Sequence, residues 1–345
     1  MTSTAKVRRG RSPRGRIAVA LLGAVGVLIA ALATPANAAP GDDPDGPDKP
    51  TLREQLDAAA RGYIEAKARY DASKALEVTL REQVQTTKLH LDLLTEQISE
   101  VAALSYRNGR LGVASALLRS ASPDDFLNRA VGVEAIALYS DTQMRELRTL
   151  RRQLAQQQDR LYAELHKQGE ELAAMEKRKK DAEKALAAAG GGRASGGFVS
   201  GNSPAAKPAP RNPDGSWPAE RCTVDDPTTN GCLTPRTYHA YQQTRAAGFT
   251  RYVKCYRTGS SGEHPKGRAC DWAAQPNGFG GTATGGDKAY GDRLASWYVA
   301  NANALAVMYV IWYRQIWMPG LGWRSYRGGG DPASDHTNHV HLSVY

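Results

Sequence analysis

A long repeat of apolar residues constrains the fold of this chain more than any other feature of its sequence. From residue 52 onward, apolar or small residues recur at alternating steps of three and four, the spacing of a coiled-coil seam. The first seam, interrupted at Ser73 and Glu77, contains Leu56, Ala59, Tyr63, Ala66, Tyr70, Leu80, Val84, Thr87, Leu91, Leu94, Ile98 and Val101. The second contains Met144, Leu147, Leu154, Leu161, Leu165, Leu172 and Met175. The sequence therefore predicts two long helices that pack against each other.

The residues between the two seams predict that the helices run antiparallel. Asn108 and Gly109 form a turn pair that ends the first helix, and Ser122 followed by Pro123 is typical of a helix start. At about 1.5 Å per residue, arms of about fifty residues would extend roughly 75 Å. We expect a helical hairpin over residues 51–189.

Composition divides the remainder of the 345 residues. Residues 1–38 combine six basic residues, an apolar run over 17–33 and the small residues Ala36 and Ala38, the layout of a cleaved secretory signal peptide. The alternative is an uncleaved membrane anchor, because the apolar run is close to the length of a short spanning helix. Residues 39–50 predict a disordered spacer, and the Gly/Pro/Ser-rich residues 190–216 predict a flexible linker. Residues 217–345 predict a compact domain.

The net charge argues against a nucleic-acid partner. The formal charge is +10, and removal of the six basic residues of the predicted signal peptide leaves +4. A charge this small over some three hundred residues does not support DNA binding, so we expect no nucleic acid. It suits an extracellular protein near an anionic cell wall.

All four cysteines lie in the predicted C-terminal domain, and export would allow them to form disulfides. Of the three possible pairings we favour Cys222 with Cys232 and Cys255 with Cys270, because each closes a short loop rich in Gly, Pro, Ser or Asp. A four-cysteine zinc site is the alternative, but the sequence contains no CxxC pair.

Histidines and an aspartate in the C-terminal domain predict a metal site. The segment GEHPKGRACD places His264 seven residues before Asp271, and the final segment HVHLSVY contains His339 and His341. In a strand, both histidines of the final segment project from one face. Two imidazoles and a carboxylate give Zn²⁺ three ligands and leave a fourth position for water, whose pKa then falls towards about 7. The pattern therefore favours a catalytic rather than a structural site.

The complete C-terminal pattern consists of His264, Gly267, Ala269 and Asp271, followed by His339, Val340 and His341. It resembles the zinc peptidases of the D-alanyl-D-alanine carboxypeptidase and lysostaphin-like group (peptidase M15-like), which cut the peptide stems and bridges of bacterial peptidoglycan. The resemblance implies zinc ligands His264, Asp271 and His341, with His339 polarising the water or stabilising the oxyanion. It also implies that Arg257 faces the substrate, because that family often has a Tyr-Arg-Ser stretch at this place.

Two positions depart from that group. Its carboxypeptidases usually have a glutamate general base three residues before the last ligand, where this chain has Asn338. They often have serine two residues before the first ligand, where this chain has Gly262. The general base therefore stays open: His339 is the first choice, and the alternates are Asp335, His336 and Glu263.

The end of the predicted hairpin has a second resemblance. Residues 104–138 contain an apolar pattern that includes Tyr106, Leu117, Leu118, Phe126 and Leu127. This pattern resembles the tip of the coiled-coil domains of bacterial cell-wall hydrolase regulators and hydrolases. In that family the coiled coil docks onto an extracellular loop of a division-linked membrane complex and restrains the hydrolase, so the resemblance implies the same partner here.

We therefore expect an α+β fold, with a helical hairpin joined by a flexible linker to a small antiparallel-sheet domain. Its strands are expected at residues 252–257, 268–273, 307–317 and 339–344, with a helix at 287–304. Our first hypothesis is a secreted or wall-associated zinc peptidase of peptidoglycan that the hairpin localises or restrains. The second is a non-catalytic wall-binding regulator that recruits another hydrolase. A third is a structural zinc or disulfide domain with an adhesive role.

Overall fold

The computed structural model describes residues 50–109, 112–199 and 201–345, which form an α+β protein. The predicted signal peptide and nearly all of the predicted spacer lie outside the described residues. Among the helices of the described ranges, none has a long enough apolar stretch to cross a membrane.

The predicted helical hairpin is confirmed. It consists of α1 (Pro50–Asn108), the short α2 (Gly112–Leu118) and α3 (Pro123–Ala188), with α1 packed along α3. The predicted start of α3 is also confirmed, because the side chain of Ser122 accepts a hydrogen bond of 3.1 Å from the backbone N–H of Asp125. The 59 residues of α1 correspond to a length of about 90 Å.

Polar side chains interrupt the seam between the two arms. Glu77, at a predicted interruption, is buried and accepts hydrogen bonds from Lys74 and Arg81 at 2.8 Å and from Gln168 at 2.9 Å. The bonds from Lys74, Gln168 and Arg81 lower the pKa of Glu77 to about 2. Further along the arms, one apolar cluster contains Leu94, Leu147 and Leu150. The hairpin is therefore joined partly by hydrogen bonds and ion pairs.

The C-terminal domain is built on an antiparallel sheet of six strands in the order β3-β4-β8-β5-β6-β7. Its strands are β3 (Val253–Lys254), β4 (Ala269–Ala273), β5 (Val307–Trp312), β6 (Gln315–Met318), β7 (Gly322–Ser325) and β8 (His339–Val344). A separate pair precedes it, formed by β1 (Val224–Asp225) and β2 (Cys232–Leu233). The helices are α4 (Pro235–Ala246), α5 (Gly285–Ala300) and α6 (Ala302–Leu305).

The two faces of the sheet are covered by different parts of the chain. On one face, Trp272 stacks on Tyr241 of α4, and the Trp312 indole donates a 2.9 Å hydrogen bond to Asp292 of α5. On the other face, the Tyr309 hydroxyl donates to Asp57 of α1 at 3.0 Å. The base of the hairpin belongs to the core of the domain through Leu56, Ala59, Ala60, Ile64, Ala68, Ala182 and Leu186.

One predicted strand is in fact two. Residues 307–317 form β5 and β6, joined by a tight turn in which Tyr313 and Arg314 have φ values of 48° and 61°. Such turns usually contain Gly, Asn or Asp, so Tyr313 and Arg314 do not predict one. The turn is held by the loop before β8, since the Tyr313 and Arg314 N–H groups donate to the carbonyls of His336 and Asp335 at 2.8 and 3.1 Å.

The segment predicted as a flexible linker lies along the sheet domain wherever it is described. The Gly192 N–H donates to the Ser325 carbonyl at 2.9 Å, and the Ala209 N–H donates to the Ala304 carbonyl at 2.8 Å. Phe198 packs edge-on against Trp323, with ring centroids 5.0 Å apart. These hydrogen bonds pair backbone N–H groups of the segment with carbonyls of the domain.

Candidate metal site

The three predicted ligands come from three parts of the sheet domain, a short turn and two neighbouring strands. His264 begins a single 3-10 turn (His264–Lys266) before β4, while Asp271 lies on β4 directly opposite His341 of β8. Gly267 ends the turn with φ of 67°, and a Cβ there would collide with Cys222 Sγ and the Cys232 backbone. Glycine is therefore required for the chain to bring His264 back to the strand that contains Asp271.

The structure brings the three ligand atoms together. His264 Nε2 lies 3.1 Å from Asp271 Oδ2 and 3.3 Å from His341 Nδ1, and His341 Nδ1 lies 2.8 Å from Asp271 Oδ1. Ligand atoms of a tetrahedral zinc site, each about 2.0–2.1 Å from the metal, lie about 3.3–3.4 Å apart. The spacing therefore fits a metal ion after small adjustments.

Hydrogen bonds behind the imidazoles favour the same arrangement. His264 Nδ1 contacts the Cys255 carbonyl, which can only accept, so this nitrogen carries a proton and Nε2 is the nitrogen that would coordinate a metal. His341 Nε2 lies 2.8 Å from the Ser343 hydroxyl, which can accept from it and leave Nδ1 to coordinate. Metal-binding histidines usually have such a partner on the other ring nitrogen.

Asp271 is held in its charged form. Burial alone would raise the pKa of this carboxyl, but the neighbouring His264 and His339 imidazoles and the hydrogen bonds to His264 and His341 hold the pKa well below its ordinary value. The predicted substrate arginine also contacts it, since Arg257 Nη1 donates to Asp271 Oδ2 at 2.8 Å. Arg257 thus neutralises and orients the carboxylate.

His339 lies beside the three ligands. Its Nδ1 is 2.6 Å from Asn338 Oδ1, an oxygen that only accepts, so Nε2 is the basic nitrogen and lies 3.6 Å from Asp271 Oδ1. The Asn338 amide also donates to the Gly280 carbonyl at 3.0 Å. Asn338, which replaces the glutamate expected from the resemblance, therefore fixes the orientation of His339.

The three alternate bases differ in their surroundings. The ring of His336 lies 4.6 Å from that of His339, and His336 has φ of 52°, a strained value for a non-glycine residue that is often found at functional sites. Glu263 forms ion pairs with Arg61 at 3.2 Å and Lys266 at 2.9 Å. Asp335 pairs with Arg314 at 2.8 Å. The two carboxylates are thus engaged by cations, whereas His336 contacts the rings of His339 and His341, at 4.6 and 5.6 Å between centroids.

Sequence reasoning missed three residues that support the site. Ser343 follows His341 by two positions and so shares its strand face, a pattern that could have been recognised. Tyr309 stacks on the His341 ring at 5.5 Å, and the Cys255 carbonyl positions His264. Neither contact has a local sequence pattern, because each depends on the packing of separate strands.

Both predicted disulfides are present, Cys222–Cys232 and Cys255–Cys270. The second joins the residue whose carbonyl contacts His264 to the residue that precedes Asp271. It therefore ties two sides of the candidate site together. The two disulfides also indicate an oxidising environment.

The candidate site is enclosed. His264 and His341 are 0% exposed, and Asp271 is 4% exposed. Helix α1 approaches the same region at three points: Arg53 donates to Ser261 at 3.0 Å, Arg61 pairs with Glu263 at 3.2 Å, and Asp57 accepts from Tyr309 at 3.0 Å. The base of the hairpin therefore lies over the face that contains the site.

Comparison with known protein families matches part of the C-terminal domain. A family model described as the VldE C-terminal domain matches residues 229–337, about a third of the chain. The matched residues include His264 and Asp271 and end before His339 and His341. No curated protein and no solved structure matches the chain.

Proposed function

We propose that this chain is a secreted, zinc-dependent peptidase that cleaves the stem or cross-link peptides of peptidoglycan, with its hairpin as a restraint. The observation on which the proposal depends is the convergence of His264 Nε2, Asp271 and His341 Nδ1 within 4.8 Å of one another. The partner hydrogen bonds of both imidazoles support metal binding rather than a purely structural ion pair.

The residues of the chain would divide the chemistry between them. Bound zinc would supply Lewis acidity and an activated water. His339, oriented by Asn338, would exchange a proton with the reacting groups, because its Nε2 faces Asp271 at 3.6 Å. Arg257 would hold Asp271 in the orientation needed for coordination through their 2.8 Å hydrogen bond.

The contacts of α1 support a restraining role for the hairpin. A peptide substrate needs an open cleft beside the metal, whereas Asp57 and Arg61 contact Tyr309 and Glu263 next to the ligands. We propose that the base of α1 must move before a peptide can reach His339. In this arrangement the hairpin would control access to the site.

The distal end of the hairpin supports the proposed partner, an extracellular loop of a membrane complex. Apolar side chains are exposed there on α2 and on both arms, with Tyr106 88% and Leu118 83% exposed. The others include Leu104, Val113, Leu127, Val131, Ile136 and Leu138. An exposed apolar surface of this kind marks an interaction site.

The second candidate function is a non-catalytic regulator that binds the cell wall and recruits another hydrolase. Asn338 favours it, because an amide cannot take up a proton as the glutamate of the resembling family does. In this case the same three ligands would hold zinc, and His339 would be only a packing residue.

Digestion of purified peptidoglycan sacculi tests the proposal. The chain starting at Ala39 would be incubated with sacculi, with and without a chelator, and the released peptides identified by mass spectrometry. We expect chelator-sensitive cleavage that the His264→Ala/His341→Ala variant lacks. His166→Ala is the matched control, because His166 is exposed on the hairpin and should leave cleavage unchanged.

Zinc content separates the two functions. The regulator would be favoured if the chain holds one zinc but does not cleave peptidoglycan, and if a variant that lacks the α1 contacts of Asp57 and Arg61 does not cleave it either. Full zinc content in the His264→Ala/His341→Ala variant would contradict the site itself.

A further inference from the structure

A cleft at the base of the hairpin lies apart from the candidate metal site. It has a volume of about 300 Å³ and lies between α1, the segment before β1, the end of α5 and the turn after β6. None of His264, Asp271, His339 and His341 lines it. This volume is at the small end of the range for ligand-binding pockets, about 300–1,000 Å³.

The walls of the cleft are mainly apolar and aromatic. Tyr63 and Ile64 of α1 face Val299 and Trp317 of the sheet domain across it. Trp217 also lines the cleft, but the guanidinium of Arg211 lies 3.6 Å from the centre of its ring. A ligand that approaches this part of the cleft therefore meets a cation rather than an open aromatic face.

Arg211 is a fixed cation without an ion pair in the described part of the chain. Its Nη1 donates to the Gly215 carbonyl at 2.9 Å, and its Nη2 donates to Asn303 Oδ1 at 3.0 Å. Both acceptors are neutral. The nearby Asp71 already accepts two hydrogen bonds from Lys67, at 2.9 and 2.7 Å. The charged residues that line the cleft thus have a net charge of +1.

We propose that this cleft binds small carboxylates with an aromatic or branched aliphatic body. The carboxylate would pair with Arg211, and the body would pack against Tyr63, Val299 and Trp317. A guanidinium fixed by stacking and hydrogen bonds loses little freedom on pairing with a carboxylate, which favours binding. The proposal is independent of metal binding and of peptidase activity.

The ligand would contact α1 and the sheet domain at once. Because it binds only when these two parts are packed together, it stabilises their packing by mass action. Occupation of the cleft should therefore raise the melting temperature of the full chain.

The probe for this site is 4-fluorophenylacetate, observed by ¹⁹F NMR line broadening with the chain that starts at Ala39. Its comparators are 4-fluorophenylacetamide, which has the same body without the charge, and 4-fluorobenzylamine, which has the opposite charge. We expect the acetate to bind about tenfold or more tightly than the amide, because hydrogen bonds to charged groups are stronger than neutral ones.

Two variants locate the binding. Arg211→Gln should abolish the preference for the acetate over the amide, and Val299→Phe should fill the cleft and weaken both ligands at least about tenfold. Arg160→Gln is the control, since it removes the same charge from an exposed hairpin position. Circular dichroism checks that each variant is folded. If Arg211→Gln does not fold, the binding measured with Val299→Phe tests the proposal.

Three results would overturn the proposal. The first is that the parent chain does not bind 4-fluorophenylacetate. The second is that the parent chain binds the acetate and the amide equally well. The third is that folded Val299→Phe binds both ligands as tightly as the parent chain does.

Discussion

Ser343 of β8 contacts the His341 ring on the same face of the strand. Its hydroxyl lies 2.8 Å from His341 Nε2 and so sets which nitrogen of that ring can coordinate a metal. Ser343→Ala should lower zinc affinity about 10- to 100-fold, the usual effect of losing such a partner, while Ser343→Thr should retain it. Competition with a chromophoric chelator measures both.

Ser296→Ala provides the control for that experiment. Its hydroxyl donates a 2.9 Å hydrogen bond to the Phe198 carbonyl, away from the candidate site. Equal zinc affinities of the two alanine variants would contradict a positioning role for Ser343.

His339 is the residue at which metal binding and chemistry separate. His339→Ala should keep zinc, because the three ligands remain, yet lose roughly a hundredfold or more in the rate of peptide cleavage. Elemental analysis and cleavage of cross-linked peptidoglycan fragments measure the two properties. Undiminished cleavage by a folded, zinc-loaded variant would favour His336 as the proton-transfer residue, because its ring lies 4.6 Å from that of His339.

At this scale the sequence grouped the candidate ligands but did not identify the residues that support them. The alternation of His339 and His341 predicted a shared strand face, and the resemblance to zinc peptidases implied the set His264, Asp271 and His341, which the structure brings together. The role of Asn338 could not be predicted. It depends on the Gly280 carbonyl, which is 58 residues away in sequence.

Among the elements, the two disulfides close loops of similar length but have different neighbours. Replacement of either pair by serine should cost about 3 kcal/mol in the free energy of unfolding, as loop entropy predicts for loops of this size. Denaturant melts measure this loss. Cys255→Ser/Cys270→Ser should also weaken zinc binding, and more than Cys222→Ser/Cys232→Ser does, because the second pair joins the partner of His264 to the strand of Asp271.

The Cys222→Ser/Cys232→Ser variant is therefore the matched control. If both variants bound zinc as tightly as the parent chain, the second disulfide would have no part in shaping the site.

The lowered pKa of Glu77 predicts that the stability of the hairpin depends on pH. Its pKa falls from 4.5 to about 2 on folding, so its contribution to stability is complete above about pH 4.5 and is lost as the pH falls through 2. Thermal melts should show that the melting temperature of the parent falls between pH 4.5 and 2. The melting temperature of Glu77→Gln should fall less over the same range. The control is Glu82→Gln, at an exposed position one turn further along α1. An identical pH dependence of Glu77→Gln and the parent would contradict this.

The helices could be predicted more completely than the strands. The two seams, over residues 56–101 and 144–175, and the capping pair Ser122–Pro123 are strong local patterns. The turn between β5 and β6 has no such pattern. Tyr313 and Arg314 adopt positive φ only because the loop before β8 accepts their N–H groups.

In the whole molecule, the contacts of α1 with the sheet domain predict protection of the candidate site. Asp57→Ala/Arg61→Ala removes two of these contacts, so amide hydrogen exchange over residues 261–268 should accelerate at least about tenfold. Mass spectrometry of deuterated peptides measures the rate. Arg69→Ala/Glu171→Ala removes an ion pair of 2.6 Å within the hairpin and serves as the control. Equal exchange in the two variants would contradict a covering role for α1.

The packing of the hairpin on the sheet domain could not be predicted from the sequence. Leu56 and Ala59 belong to a regular seam, and the pattern assigns them to contact with α3 alone. In the structure they also belong to the core of the sheet domain, together with Leu186. A periodic pattern identifies an apolar face but not the number of surfaces that pack on it.

The length of the hairpin has a mechanical consequence. The contacts of α1 with the C-terminal part of the chain fall between Arg53 and Ala72, about 29 Å of helix, whereas the arm extends about 54 Å further to Asn108. A sideways force on the tip therefore acts through a lever whose long arm is about twice its short arm. A pull too weak to break these contacts directly would be amplified at the base, so mechanical load at the far end is an efficient way to lift α1 from the sheet.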